Sequence, residues 1–236
     1  MRIIGVEVAG GAPVFTGALP HGADPHRLAW ELGYRIVRPL SASGSAPDLT
    51  LTVQVGRHGR SSALQAPRTR SIDPDLDLSG EATPVVRQRL AAYGIVLSER
   101  GLLATQFSDR TAVPGLLGLP GGGIDPGESP SRALVREVVE ESGQELEISH
   151  LLDIQTDHWI GRSPSRVVED FHAVRIIYAA SCPTPTDPVV HDHGGTTAAA
   201  AWVPLEGWTR VAWSSGARAL LDRHLRELSR SGLVPR

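Results

Sequence analysis

The feature that most constrains this chain is a glycine-rich loop running into a charged segment between Gly122 and Gln144. Ser129 is a fitting N-cap, and Pro130 suits the first helical position. Gly143 stands where a left-handed residue usually ends a helix. A helix over residues 130–142 is therefore predicted. On it Glu137, Glu140 and Glu141 are spaced i, i+3, i+4 and share one face. Val135, Val138 and Val139 fall on the opposite side and are expected to face a core. Three carboxylates on one stripe repel by a few tenths of a kcal/mol per pair, roughly. A divalent cation reverses that sign, and Mg²⁺ prefers hard carboxylate oxygens while retaining waters that phosphate oxygens can displace. Arg136 reaches Glu140 at i+4. The loop glycines let backbone groups approach a metal or a phosphate closely. On spacing alone a solvated acidic helix face is the commoner explanation.

The whole constellation narrows the choice. Gly122, Glu128, Arg136, Glu137, Val138, Glu140, Glu141 and Gly143 match the pattern Gly-x5-Glu-x7-Arg-Glu-U-x-Glu-Glu-x-Gly-U, with U aliphatic. This segment resembles the Nudix box of the Nudix (MutT-like) hydrolases. A chance match at the seven fixed positions is on the order of 10⁻⁸ per window by composition. Gln144 departs from the pattern, standing where the family has an aliphatic residue that packs beneath the helix. The resemblance implies an α/β/α sandwich around a mixed sheet. It implies metal ligation by Glu137, Glu140, Glu141 and the carbonyl of Gly121, with Mg²⁺, or Mn²⁺ in its place, as cofactor. It also implies that Arg136 orients Glu137 and that Glu128 supports the site from behind. Glu137, Arg136, Glu141 and Glu128 are thus the expected catalytic set. Metal and arginine together would neutralise a pyrophosphate and stabilise charge as water attacks phosphorus.

The rest of the chain separates into stretches. In residues 1–57, Arg2–Val8 reads as a strand and Asp24-Pro25 as a helix start, with Gly33 as its stop. Tyr34–Leu40 and Leu49–Val55 alternate as strands, with Leu49, Leu51, Val53 and Val55 on one face. A small N-terminal α/β unit is expected there, with active-site lining or dimerisation as its role. Residues 58–84 are rich in Arg, Ser, Pro and Asp and read as a linker. A hydrolase domain is expected over 85–230, with strands at Arg89–Leu97, Gly101–Phe107, Val174–Ala179 and Ala199–Val203. A closing helix over Trp213–Leu228 carries Leu220, Leu221, Leu225 and Leu228 on one stripe. Residues 231–236 end in Leu-Val-Pro-Arg, a protease recognition sequence used in cloning, and are excluded from fold reasoning.

Charge and composition exclude some functions. A net charge of −3 and a pI near 6.3 do not suggest wholesale binding to nucleic acid or to an anionic membrane. No apolar run is long enough to span a bilayer, and the first residues lack a signal-type apolar stretch. Cys182 is the only cysteine, so no intrachain disulfide forms. A cytoplasmic enzyme is expected, with a small-molecule diphosphate as its partner and a homodimer as one role of the N-terminal unit.

Two gaps remain at this level. Related sequences often carry a later-loop carboxylate at places corresponding to Ala198 or Ala199; this chain has none. The general base is then Glu137 or Glu141, or comes from Glu169, Asp170 or the His191-Asp192-His193 group, each of which also reads as an ordinary loop residue. The signatures that the family uses for ADP-ribose or dinucleoside polyphosphates do not fit residues 157–164. Trp159, Arg162 and Arg175 are candidate substrate contacts, against the plainer readings of a strand-edge tryptophan and solvated arginines. The expected function is Mg²⁺-dependent cleavage of a phosphoanhydride in a nucleoside diphosphate linked to another moiety, either a nucleoside triphosphate or a nucleotide sugar such as ADP-ribose. A ligand-sensing regulator and a hydrolase of a non-nucleotide diphosphate such as a prenyl diphosphate are the alternatives.

Overall fold

Alternation at Leu49, Leu51, Val53 and Val55 buries all four side chains on one face of a strand. The computed structural model, which describes residues 1–58, 71–76, 83–163, 166–191 and 195–230, builds the first part of the chain around it. The elements there are β1 (Arg2–Val6), β2 (Pro13–Ala18), α1 (Pro25–Glu31), β3 (Tyr34–Ser45) and β4 (Asp48–Arg57). They form a four-stranded sheet in the order β2-β1-β4-β3, with β1 parallel to β4 and the other pairs antiparallel. Helix α1 starts as its residues dictate. The Asp24 carboxylate accepts from the Arg27 N–H at 2.9 Å, and Pro25 fills the first turn. Strand β2 escaped the sequence reading because none of its side chains is buried, so it shows no apolar alternation.

The remaining elements are β5 (Ser71–Ile72), β6 (Val85–Ser98), β7 (Gly101–Phe107), β8 (Leu117–Gly118), β9 (Gly121–Gly123), α2 (Pro130–Ser142), β10 (Glu147–Arg162), β11 (Val168–Ser181), β12 (Thr197–Val203) and α3 (Ser215–Leu228). A second, mixed sheet runs β12-β7-β6-β11-β10-β5, with β8 paired to β7 and β9 to β6. Its β12/β7 and β6/β7 pairs are antiparallel and its β10/β5 pair is parallel. The chain is thus α/β on a mixed sheet. The segment read as a linker contributes β5; most of its remainder lies outside the described residues. No helix among the described residues is long and apolar enough to cross a membrane.

The chain divides into two compact units. One comprises residues 1–91, 125–129 and 152–176; the other comprises 92–124, 130–151 and 177–236. The core of the second includes Ile95, Leu97, Leu102, Leu103, Leu134, Ile177 and Leu221, all fully buried. Gly94 on β6 makes room for Leu134 of α2, because a Cβ there would stand 3.2 and 3.3 Å from the leucine methyls. The leucine stripe of α3 is buried as its spacing predicts. That helix begins later than the sequence suggests, because the Ser214 hydroxyl caps it by accepting from the Ala217 N–H. Trp213 instead packs before the cap, its indole N–H donating to the Trp208 carbonyl at 2.8 Å.

The expectation for the valines of α2 needs correction. Val138 is buried, but Val135 and Val139 are each 41% exposed. The core face of α2 is made by Ala133, Leu134, Val138, Glu141 and Ser142 instead. The helix is rotated so that one glutamate of the acidic stripe goes inward. Because Leu134 anchors this face, Leu134→Ala is expected to cost about 2–5 kcal/mol of unfolding free energy in urea titration. A loss under about 1 kcal/mol would show that the α2 seat is not packed as described.

Candidate metal and phosphate site

The glycine loop and α2 meet at Glu141. Its carboxylate is 7% exposed and accepts from the Gly121 N–H at 2.8 Å and from the Thr197 hydroxyl. A buried charge needs such donors, since an unpaired one would be strongly destabilising. One side chain thereby ties β9, α2 and β12 together. Gly121 has φ +133°, and a Cβ on it would lie 2.2 Å from the Ala92 carbonyl, so only glycine fits. Gly122 leaves room for a different group: a Cβ there would fall 2.6 Å from the Glu137 carboxylate, which would have to shift.

The exposed side of the stripe is organised by Arg136. Its Nη1 donates to Glu137 Oε1 at 2.9 Å and to Glu140 Oε2 at 3.2 Å, and its Nη2 donates to the Gly123 carbonyl at 2.9 Å. The guanidinium fork thus holds two carboxylates and the loop backbone at once. Gly121, Arg136, Glu137, Glu140 and Glu141 all lie in the second unit. The donor set they offer is hard oxygen, which fits a small divalent cation. Three like charges, of which two share a cation that the protein itself supplies, also fit a place for further positive charge.

Glu128 lies in the 125–129 segment of the first unit. There its carboxylate accepts from the Asp125 N–H at 3.1 Å, and its carbonyl accepts from the Ala46 N–H at 3.0 Å. Trp159, Arg162 and Arg175 belong to that unit too. The Trp159 ring packs on Phe171 at 4.4 Å between centroids and remains 39% exposed, on a β10 edge paired to Ser71. Arg162 donates to the Arg166 carbonyl at 3.4 Å, and Arg175 pairs with Asp157. The plainer readings of Trp159 and Arg175 therefore have structural partners to support them. Of the alternative bases, Glu169 pairs with Arg87 at 2.7 Å and Asp170 accepts from His21 and His158. The His191 backbone N–H caps α2 by donating to the Glu140 carbonyl at 2.8 Å; Asp192 and His193 lie outside the described residues.

Gln144, the one departure from the box, is buried with its amide satisfied. It donates to the Ser142 carbonyl at 3.1 Å and to the Thr186 hydroxyl at 2.9 Å, and accepts from the Thr186 N–H at 2.9 Å. Polar partners thus replace the aliphatic packing that the resemblance implies. The Cys182 thiol lies against the same amide oxygen, and burial pushes its pKa up.

Thr197 was missed by sequence reasoning. Its only signal is one hydroxyl at the head of an alanine-rich strand, and nothing local says that it meets Glu141. It also lines a cleft of about 520 Å³ shared with Asp109, Arg110 and Ala198–Ala200. Ala198 and Ala199, where a later carboxylate was sought, thus contribute open space to this cleft. We expect Thr197→Val, which removes the donor and keeps the shape, to lower stability by about 1–3 kcal/mol, with Thr197→Ser much milder. Chemical denaturation of both variants checks this, and an unchanged midpoint for Thr197→Val would refute the anchoring role of the hydroxyl.

The family model described as NUDIX domain matches residues 87–223. The nucleoside triphosphatase NudI of Enterobacter sp. (strain 638) is 43% identical over 65 residues, covering 27% of this chain and 46% of that protein. NudI of Klebsiella pneumoniae (strain 342) is 35% identical over 83 residues, covering 35% and 55%. The chain thus spans about half the length of the curated relatives it matches. Among solved structures, a NUDIX hydrolase from Nitrosomonas europaea superposes with a TM-score of 0.46 at 17% identity, over 60% of this chain and 90% of that one.

Proposed function

The chain belongs to the NUDIX domain family, and from that premise we propose that it is a divalent-cation-dependent hydrolase of a phosphoanhydride bond in a nucleoside triphosphate. The observation that carries this reading is the complete acidic box, anchored by Glu141 and forked by Arg136. The activity for which the NudI relatives are named favours a nucleoside triphosphate over a nucleotide sugar.

Glu137, Glu140 and Glu141, with the Gly121 carbonyl, are the residues that would hold the cation, with Mg²⁺ as the ion that their hard oxygens suit and Mn²⁺ as its substitute. When bound, the cation supplies charge neutralisation for the phosphate chain and a Lewis acid at phosphorus. The remaining work falls to the protein. Arg136 holds Glu137 and Glu140 at a fixed separation and keeps the loop carbonyl of Gly123 turned to the helix. Gly122 leaves the space beside Glu137 clear. Of the two base candidates in the box, Glu141 has both carboxylate oxygens engaged by the Gly121 N–H and the Thr197 hydroxyl. Glu137, whose Oε1 is held by Arg136, is the residue we assign to take the proton from the attacking water. The cleft beside Thr197 is of the size that takes a small ligand, and we assign it to the part of the substrate away from the cleaved bond.

The test is a substrate panel with Mg²⁺ and identification of the products. Turnover is expected for at least one nucleoside triphosphate, and a chelator should abolish it. Glu140→Gln and Glu137→Gln are each expected to reduce kcat/KM by about 100-fold or more, the loss of a transition-state charge contact of roughly 3 kcal/mol. Wild-type rates in both variants would overturn the ligand and base assignments. Absence of turnover on every diphosphate compound tested would overturn the proposed activity. Arg110→Ala is expected to raise KM severalfold with kcat little changed, if the cleft holds substrate; an unchanged KM would remove the cleft from the site.

A further inference from the structure

Three segments of the first unit bring a second set of ligand-type side chains together. His21 precedes α1, His158 lies on β10 and Asp170 lies on β11. The Nε2 atoms of His21 and His158 lie 2.9 and 2.6 Å from the same oxygen, Oδ1 of Asp170. Among the described residues this is the one group of three whose ligand atoms all lie within 4.8 Å of one another. The box glutamates are not drawn so close.

A third imidazole adjoins the group. His172 stands two residues beyond Asp170, on the same face of β11. Its ring centroid is 5.4 Å from that of His21 and 5.9 Å from that of His158, edge-on to both. It is fully buried, and its Nδ1 is bonded to the Gln88 amide at 2.9 Å.

We propose that His21, His158 and Asp170 bind a divalent transition-metal ion of the zinc type. The argument is one of donor chemistry and distance. Two imidazole nitrogens with one carboxylate oxygen suit Zn²⁺ rather than the all-oxygen preference of Mg²⁺. Zinc bonds of about 2.0–2.2 Å in tetrahedral geometry set ligand atoms roughly 3.3 Å apart. To reach that arrangement the two imidazole nitrogens need to draw back from the Asp170 oxygen by only about 0.4 and 0.7 Å. The three side chains are partly exposed, at 26%, 17% and 19% for His21, His158 and Asp170, so an ion has a way in and a water can take the fourth position.

The backbone is fitted to this purpose at one point in particular. Gly22 has φ +75°, and a Cβ on it would lie 2.5 Å from the His158 ring. The loop main chain therefore passes directly against one ligand while presenting the other from the preceding residue. Asp24, at the start of α1, accepts from the Thr156 hydroxyl of β10 at 2.7 Å. A bound ion would fasten the loop before α1 to β10 and β11. This site uses none of the box residues and does not depend on the proposed hydrolase activity.

The experiment uses the full chain without a polyhistidine tag, stripped by chelator and held in excess Mg²⁺. Zn²⁺ is titrated against a chromophoric chelator, metal content is read by mass spectrometry, and Co²⁺ serves as a visible-absorption probe. One Zn²⁺ per chain is expected. His158→Ala and Asp170→Ala should each weaken binding by more than about 100-fold, beyond what loss of an outer contact does. Glu140→Gln should leave it unchanged. Failure of the wild type to hold stoichiometric Zn²⁺ overturns the proposal, and so does wild-type affinity in both cluster variants. Should those variants not fold by circular dichroism, the wild-type Co²⁺ spectrum decides. Tetrahedral bands support the site, and a spectrum like that of the hydrated ion overturns it.

Discussion

A single buried carboxylate holds the box together. Glu141 is the residue at which strand β9, helix α2 and strand β12 are chemically obliged to meet. A carboxylate that loses water must regain hydrogen-bond donors, and its donors here are one backbone N–H and one hydroxyl from two separate strands. This fixes the height of α2 against the glycine loop and the phase of its acidic stripe. With Glu141 turned inward, Glu137 and Glu140 are left on the outer side, where a single guanidinium reaches both. Val135 and Val139 are exposed for the same reason. The helix cannot bury the valine side fully and also bring Glu141 to its donors.

Arg136 resolves a related conflict. Carboxylates at i, i+3 and i+4 raise one another's energy unless positive charge stands among them. The arginine supplies part of that charge from within the helix and anchors itself on the Gly123 carbonyl, so its own position is not loose. The glycines serve the same arrangement. Gly121 supplies its N–H to Glu141 from a backbone conformation closed to other residues, and Gly122 keeps clear the volume beside Glu137.

The first unit applies a different chemistry to a similar problem. There imidazoles, rather than an arginine, gather around a carboxylate. Burial by itself would raise the pKa of Asp170, but hydrogen bonds from His21 and His158, and then their charges, bring it below the usual carboxylate range. One chain thus carries a mixed nitrogen-and-oxygen donor set in one group of residues and an all-oxygen carboxylate set in another.

The sequence by itself determined the elements whose reasons are local. The bounds of α2, the cap of α1 at Asp24, the buried alternation of β4, the leucine stripe of α3 and the identity of the box all follow from spacing, capping and turn chemistry between near neighbours. Only the tertiary structure decided which glutamate goes inside, that Thr197 is its donor, that Gln144 is satisfied by Thr186, and that His21 meets His158 and Asp170 more than 130 positions away. Those facts concern partners brought together by the sheet, and a hydroxyl, an amide or an imidazole carries no mark in the sequence of the distant atom that will satisfy it. Strands β2, β5 and β10 were hidden for a related reason. Their side chains lack a clean buried alternation, so their pairing is set by neighbouring strands and not by a pattern of their own.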